Sequence, residues 1–227
     1  MLRAMTGADD VTRADALKGR GDDALRRGRA AEALPLYEES LALYVSCGDG
    51  LSEANCLQKL GRIALEARRL EDAQELLGRA LDLHRTLGDE GGVAADLGTL
   101  GPAFGRDAQY VKALECLEEA VEIFRRLGDR YGEALVLRAE GNLFRDCYGP
   151  EPAIACWVLA RALLDELHDP AVEPIEALMH NVRMRLGEEE WASLEREVFP
   201  RAEGIRLEGV RCLREGEMVE GEGPTWQ

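Results

Sequence analysis

Small and apolar residues recur along this chain in two alternating stripes. The first runs Ala14-Leu17-Gly21-Ala24 and returns as Ala54-Leu57-Gly61-Ala64, Ala94-Leu97-Gly101-Phe104 and Ala134-Leu137-Gly141-Phe144. Steps of three, four and three set such residues on one side of an α-helix. A polar break follows each stripe (RRGRA, EARRL, RDAQY, RDCYGPE), and a second stripe begins. It reads Ala33-Tyr37-Ser40-Leu43, Ala73-Leu77-Ala80-Leu83, Ala113-Leu117-Ala120-Ile123 and Ala153-Trp157-Ala160-Leu163. Steps of four, three and three again predict an amphipathic helix. The chain is therefore written in helix–break–helix units.

Each unit closes on the same punctuation: Cys47-Gly48-Asp49, Leu87-Gly88-Asp89, Leu127-Gly128-Asp129 and Leu167-His168-Asp169. Glycine takes the left-handed conformation that ends a helix, and Asp caps the next one by accepting its free N–H groups, each cap contributing about 1 kcal/mol. His168, in the glycine column, reads as a helix-terminal residue. The glycines inside the first helices (Gly21, Gly61, Gly101, Gly141) each cost about 1 kcal/mol against Ala. Close approach of the partner helix explains why they recur. In the third first-helix, Pro102 stands beside Gly98, Gly101 and Gly105, so local propensity opposes the helix and predicts a kink there.

An internal repeat of fixed period means stacked units in place of one closed core. The period of 40 divides the array, residues 10–186, into about 10–48, 49–88, 89–128, 129–168 and a degenerate 169–186. The last keeps Ile175, Leu178 and Val182 but has Asn181 where glycine falls. Residues 1–9 read as an N-terminal tail. Residues 187–215 read as capping helices, opening on Glu188 to Glu190 at the positive end of a helix dipole, broken at Pro200 and resuming through Ile205, Leu207, Val210 and Leu213. Residues 216–227 lack periodicity and read as a flexible tail.

Charge narrows the partner. A formal net charge of −16 argues against nucleic acid and anionic membrane, which both require a basic face. No apolar run approaches the roughly 20 residues of a membrane span, and MLRAMTGADD carries no secretory leader. The six cysteines form no CxxC pair, which points to reduced thiols and a cytoplasmic setting. Cys116 and Cys156, themselves one period apart, are expected in the same small buried slot.

Catalytic signatures are missing. The three histidines have no metal-ligand spacing, and neither a phosphate-binding glycine loop nor a GxSxG elbow occurs, so no enzyme activity, metal or cofactor is expected. The carboxylate pairs Glu38-Glu39 and Glu118-Glu119, with Glu188 to Glu190, fall on predicted solvent faces.

The first-helix Leu and Gly and the second-helix Ala, large apolar and Ala or Ser columns resemble the tetratricopeptide repeat. The longer period, the Gly-Asp hairpin end and the Gly132-Glu133-Ala134 entry resemble its Pins/LGN-type subgroup. The segment LGEEEWASLEREVFPRAE is similar to those that close repeat arrays in bacterial signalling and transcription regulators. The resemblance implies an all-α, right-handed solenoid of four helix hairpins with a degenerate fifth and a C-terminal capping helix. It also implies a concave groove lined by first helices, with partner-binding candidates Lys18, Gln58, Arg62, Arg138, Asn142 and Arg145. Asn142 keeps the subgroup's Asn after the Gly; Asp22, Arg62 and Pro102 replace the others. A basic face on an acidic chain favours an acidic or carboxylate-ended protein or peptide. The expected function is a non-catalytic interaction scaffold, monomeric or weakly oligomeric. The rival is a regulatory sensor module of a bacterial signalling or transcription system that receives a peptide signal or a partner ATPase.

Overall fold

The computed structural model describes residues 2–216, with side chains from Asp9 onward. Among them are eleven α-helices and no strand. The first-helix stripes become α1 (Leu2–Arg26), α3 (Gly50–Glu66), α5 (Glu90–Arg106) and α7 (Arg130–Cys147). The second-helix stripes become α2 (Ala30–Cys47), α4 (Leu70–Leu87), α6 (Tyr110–Leu127) and α8 (Pro150–Leu167). Then come α9 (Val172–Leu186), α10 (Glu188–Val198), a 3-10 turn over Phe199–Arg201 that contains Pro200, and α11 (Ala202–Glu215). Residues 2–9 continue α1 toward the N-terminus. Gly216 is the left-handed cap of α11, and the remainder of the expected tail, 217–227, lies outside the described residues.

The chain forms two compact units, Met1–Ala103 and Phe104–Gln227, divided inside α5 directly after Pro102 and Ala103. In the first unit α1 packs on α2, α2 on α3 and α3 on α4. In the second, α6 packs on α7, α7 on α8, and α8 on α9 and α11.

The repeating glycines act as the close-approach reading requires. A Cβ on Gly61 would lie 2.6 Å from Leu77 Cγ, one on Gly141 2.5 Å from Trp157 Nε1, and one on Gly21 3.0 Å from the Tyr37 ring. In each case the opposing side chain is the large apolar residue sixteen positions on. Hairpin ends also follow the sequence. Gly48, Gly88 and Gly128 have φ of 73°, 72° and 70°, and His168 takes the same left-handed turn at φ 52°. The Asp49, Asp89 and Asp129 carboxylates accept from the N–H groups of Ser52, Gly92 and Gly132 at 2.9–3.1 Å, and Asp169 accepts from Ala171 at 2.8 Å.

Three columns differ from the expected pattern. The second-helix stripe closes on Tyr44, His84, Phe124 and Leu164, the more deeply buried column, and leaves Leu43, Leu83 and Leu163 half-buried. The deeper column faces the start of the following helix, where Gly132 leaves room for the Phe124 ring, 2.5 Å from the position of an added Cβ. In α9, Met179 is buried with Ile175 and Val182, while Leu178 is half-exposed. Cys116 and Cys156 do not share one environment: Cys156 is fully buried and Cys116 is not. Helix α11 packs on α8, and its Arg206 and Glu203 lie near Cys156.

Candidate functional site

Unit 1 carries Lys18 on α1 and Gln58 and Arg62 on α3. Lys18 and Gln58 are half-buried and Arg62 is exposed. A further cation that sequence reasoning overlooked, Lys59, lies among them. Burial lowers its ammonium pKa, and the nearby Arg62 and Lys18 charges lower it further, against the opposing pull of Asp22. Asp22, the acid of this face, accepts the Tyr37 hydroxyl proton at 2.6 Å, a bond that ties α2 to α1.

Gln58 serves the fold as well as the surface. Its amide nitrogen donates to Asp96 Oδ1 at 2.7 Å, and Asp96 Oδ2 lies 2.6 Å from His84 Nδ1. Asp96 and His84 are both fully buried, and His84 Nε2 faces Asp89 Oδ2 at 3.7 Å. Burial raises the Asp96 carboxyl pKa, while its bonds to His84 and Gln58 oppose that rise. This polar set locks α3, α4 and α5 in register: a buried imidazole in an otherwise apolar column requires a buried partner. The hint in the sequence was a pair of coincident exceptions. His84 interrupts Tyr44, Phe124 and Leu164, and Asp96 interrupts the buried Cys56 and Val136.

In unit 2, Arg138, Asn142 and Arg145 lie half-buried on α7. The Asn142 Oδ1 is buried without a hydrogen-bond partner. Arg145 donates from Nε to Asp146 Oδ1 at 2.8 Å. Beside Arg145 a cavity of about 280 Å³ opens between α7, α8 and α9, walled by Trp157, Leu178 and Val182.

A second charged cluster joins α6, α7 and α11. Arg206 and Glu140 are both buried, with Nε and Oε2 3.3 Å apart and neither atom completing a hydrogen bond. Burial pushes the Glu140 carboxyl up to about 7, against the pull of Arg206. Arg214 pairs with Glu118, and Arg125 donates to both Glu133 (2.6 Å) and Glu203 (3.0 Å). Glu118 therefore does not stand on a solvent face, as its helical position alone suggests, because α11 covers it. Glu38, Glu39, Glu119 and Glu188 to Glu190 are exposed. Among the described residues no group of three or more His, Cys, Asp or Glu is placed to hold a metal ion, and no helix is long and apolar enough to cross a membrane.

Known proteins can now be set beside this geometry. Residues 12–86 match the tetratricopeptide repeat. Tetratricopeptide repeats are in general protein–protein interaction modules. The matched segment spans α1 to α4, so Lys18, Gln58, Lys59 and Arg62 fall within it, and Arg138, Asn142 and Arg145 fall beyond it. Among solved structures, the nearly identical TPR-like repeats attributed to a Podosopora anserina kinesin light chain are 19% identical to this chain. The match covers 92% of this chain and 99% of that one, with a TM-score of 0.51. At that identity the likeness concerns the fold: an all-α tetratricopeptide-like array of helices packed in consecutive pairs. No curated protein sequence gives a significant match.

Proposed function

We propose that this chain is a non-catalytic scaffold that holds an acidic peptide or helical segment of a partner protein against its first helices. The observation that carries the reading is the gathering of Lys18, Lys59 and Arg62 on the first-helix face of unit 1, in a chain of net charge −16. Arg138, Asn142 and Arg145 supply the corresponding face of unit 2. The repeat follows the 40-residue Pins/LGN-type pattern. None of the six cysteines forms a disulfide, which suits a reducing cytoplasm.

The test uses the partner recovered by affinity capture and identified. Calorimetry then compares the double substitution Arg138→Glu and Arg145→Glu with Arg79→Glu on the exposed side of α4. The face variant is expected to bind at least about tenfold more weakly, since repulsion replaces charge-assisted bonds, and binding should weaken with salt. Arg79→Glu should bind normally. Equal affinity in both variants would move the interaction to another surface.

A further inference from the structure

The bed on which α11 lies in unit 2 has an open counterpart in unit 1. Four side chains of that bed meet α11. Arg214 pairs with Glu118, Arg206 lies beside Glu140, Gly209 closely approaches Pro152, and Arg206 and Glu203 lie near Cys156. Two periods of 40 earlier, the same register positions hold Glu38, Leu60, Asp72 and Leu76. All four line a single groove of about 340 Å³ in unit 1, formed by the second helices α2 and α4 with Leu60 of α3. Burial differs in the sense expected of a bed without its helix. Pro152 and Cys156 are buried and Glu118 is half-buried, whereas Asp72 and Glu38 are exposed and Leu76 is half-buried. Leu34 and Leu41 extend the apolar wall of the groove and are half-buried, where their counterparts Leu114 and Val121 are buried.

We propose that this groove docks an amphipathic helix of a partner protein, apolar along its inner stripe and basic at the C-terminal end of that stripe. The site lies on second helices and does not depend on the reading of the first-helix faces. Helix α11 supplies the pattern, since Arg206, Val210 and Leu213 are buried and Glu203 is half-buried, at steps of three, four and three. Differences between the two beds then specify the partner. Glu203 is received by Arg125, whose counterpart is Val45, a valine 51% exposed on α2. Arg206 is received by Glu140, whose counterpart is Leu60. Apolar residues are therefore required at both places. Arg214 is received by Glu118, which persists as Glu38. Asp72 and Glu75 add acid to the lining against one cation, Arg69, itself paired with Asp72 at 3.2 Å. The fitting helix is apolar at i, i+3, i+7 and i+10 and carries Arg or Lys at i+11. The α11 of a second copy does not meet this pattern: its Glu203 and Arg206 would be set against Val45 and Leu60 without partners, which is unfavourable.

The probes are fluorescein-labelled peptides of residues 201–216 carrying Cys212→Ala. A lactam between Gly204→Lys and Glu208, both at exposed positions, holds them helical, because so short a helix is marginal in water. The first otherwise keeps the α11 sequence, the second adds Glu203→Leu and Arg206→Leu, and the third adds Arg214→Glu to the second. Anisotropy titrations with the full chain should show saturable binding of the second peptide, at least about tenfold tighter than that of the first or the third. Glu38→Arg should weaken the second peptide by at least about tenfold and strengthen the third, the reciprocal change that a direct charge pair requires. Glu75→Arg, also exposed, should weaken the second peptide independently, and Glu71→Arg, exposed on α4 outside the lining, should leave its binding unchanged.

A second peptide that does not bind, or that binds no tighter than the α11 sequence, overturns the proposal. So does equal binding of the second and third peptides, or binding that ignores both Glu38→Arg and Glu75→Arg.

Discussion

A side chain's surroundings, more than its type, set what each polar residue does here. Glu140 carries the clearest consequence for pH. Its carboxyl titrates near 7 in the folded chain and near 4.5 in the ordinary case, because burial disfavours the charged form. Between those values the folded state binds more protons than the unfolded one. The contribution of Glu140 is thus fully present below about 4.5 and is lost as pH rises through 7, at up to about 1.4 kcal/mol per pH unit. Denaturant unfolding at pH 5, 6, 7 and 8 should show the wild type losing stability relative to Glu140→Gln as pH rises. A constant difference would mean that Glu140 does not titrate in this range. The helical glycines give a second prediction. Gly141→Ala and Gly61→Ala force a methyl group to within 2.5 Å and 2.6 Å of Trp157 and Leu77, and should destabilise by about 1–3 kcal/mol despite better helix propensity. Gly21→Ala, with 3.0 Å to a ring, should cost less, and Gly78→Ala, with open space around it, should stabilise by about 1 kcal/mol. Thermal melts of the four variants should fall in that order.

Helix α11 is the element whose role differs most from that of its predecessors. It lies against α8 with Gly209 so close that an added Cβ would meet Pro152 at 2.8 Å. It also brings Arg206 and Arg214 to Glu140 and Glu118. A buried carboxylate that loses its cation is strongly unfavourable, and removing one partner of such a pair costs about 3–5 kcal/mol. Ending the chain at Arg201 should therefore unfold or aggregate the hairpin of α7 and α8. Light scattering and a thermal melt would show this. A truncated chain that stays dispersed and melts unchanged would contradict a sealing role for α11.

For the molecule as a whole, the notable point is where its two units divide. The break falls within α5, one residue after Pro102, in a segment that also holds Gly98, Gly101 and Gly105. The helix nevertheless runs unbroken from Glu90 to Arg106, so packing on its neighbours imposes what local propensity opposes. Repeat arrays are stabilised by neighbour interfaces and can open in parts. Amides over 98–106 should thus exchange faster than those of the equivalent turns in α3 and α7. Equal protection in all three helices would mean that packing hides the whole deficit.

The period of 40, the helix pairs, the glycine and Asp caps and the close approach at Gly21, Gly61 and Gly141 were all legible in the sequence. They depend on contacts between residues at fixed short separations, and such contacts leave a periodic mark. The candidate face was legible only in part. Lys18, Gln58, Arg62, Arg138, Asn142 and Arg145 were chosen by helical register, which passed over Lys59 beside them. The buried His84–Asp96 and Glu140–Arg206 pairs, the cover over Glu118 and the cavity beside Trp157 were settled by tertiary structure alone. Each arises where the chain departs from its own repeat, or where α11 returns to helices far earlier in sequence. Periodicity carries no information about such contacts, because each occurs only once.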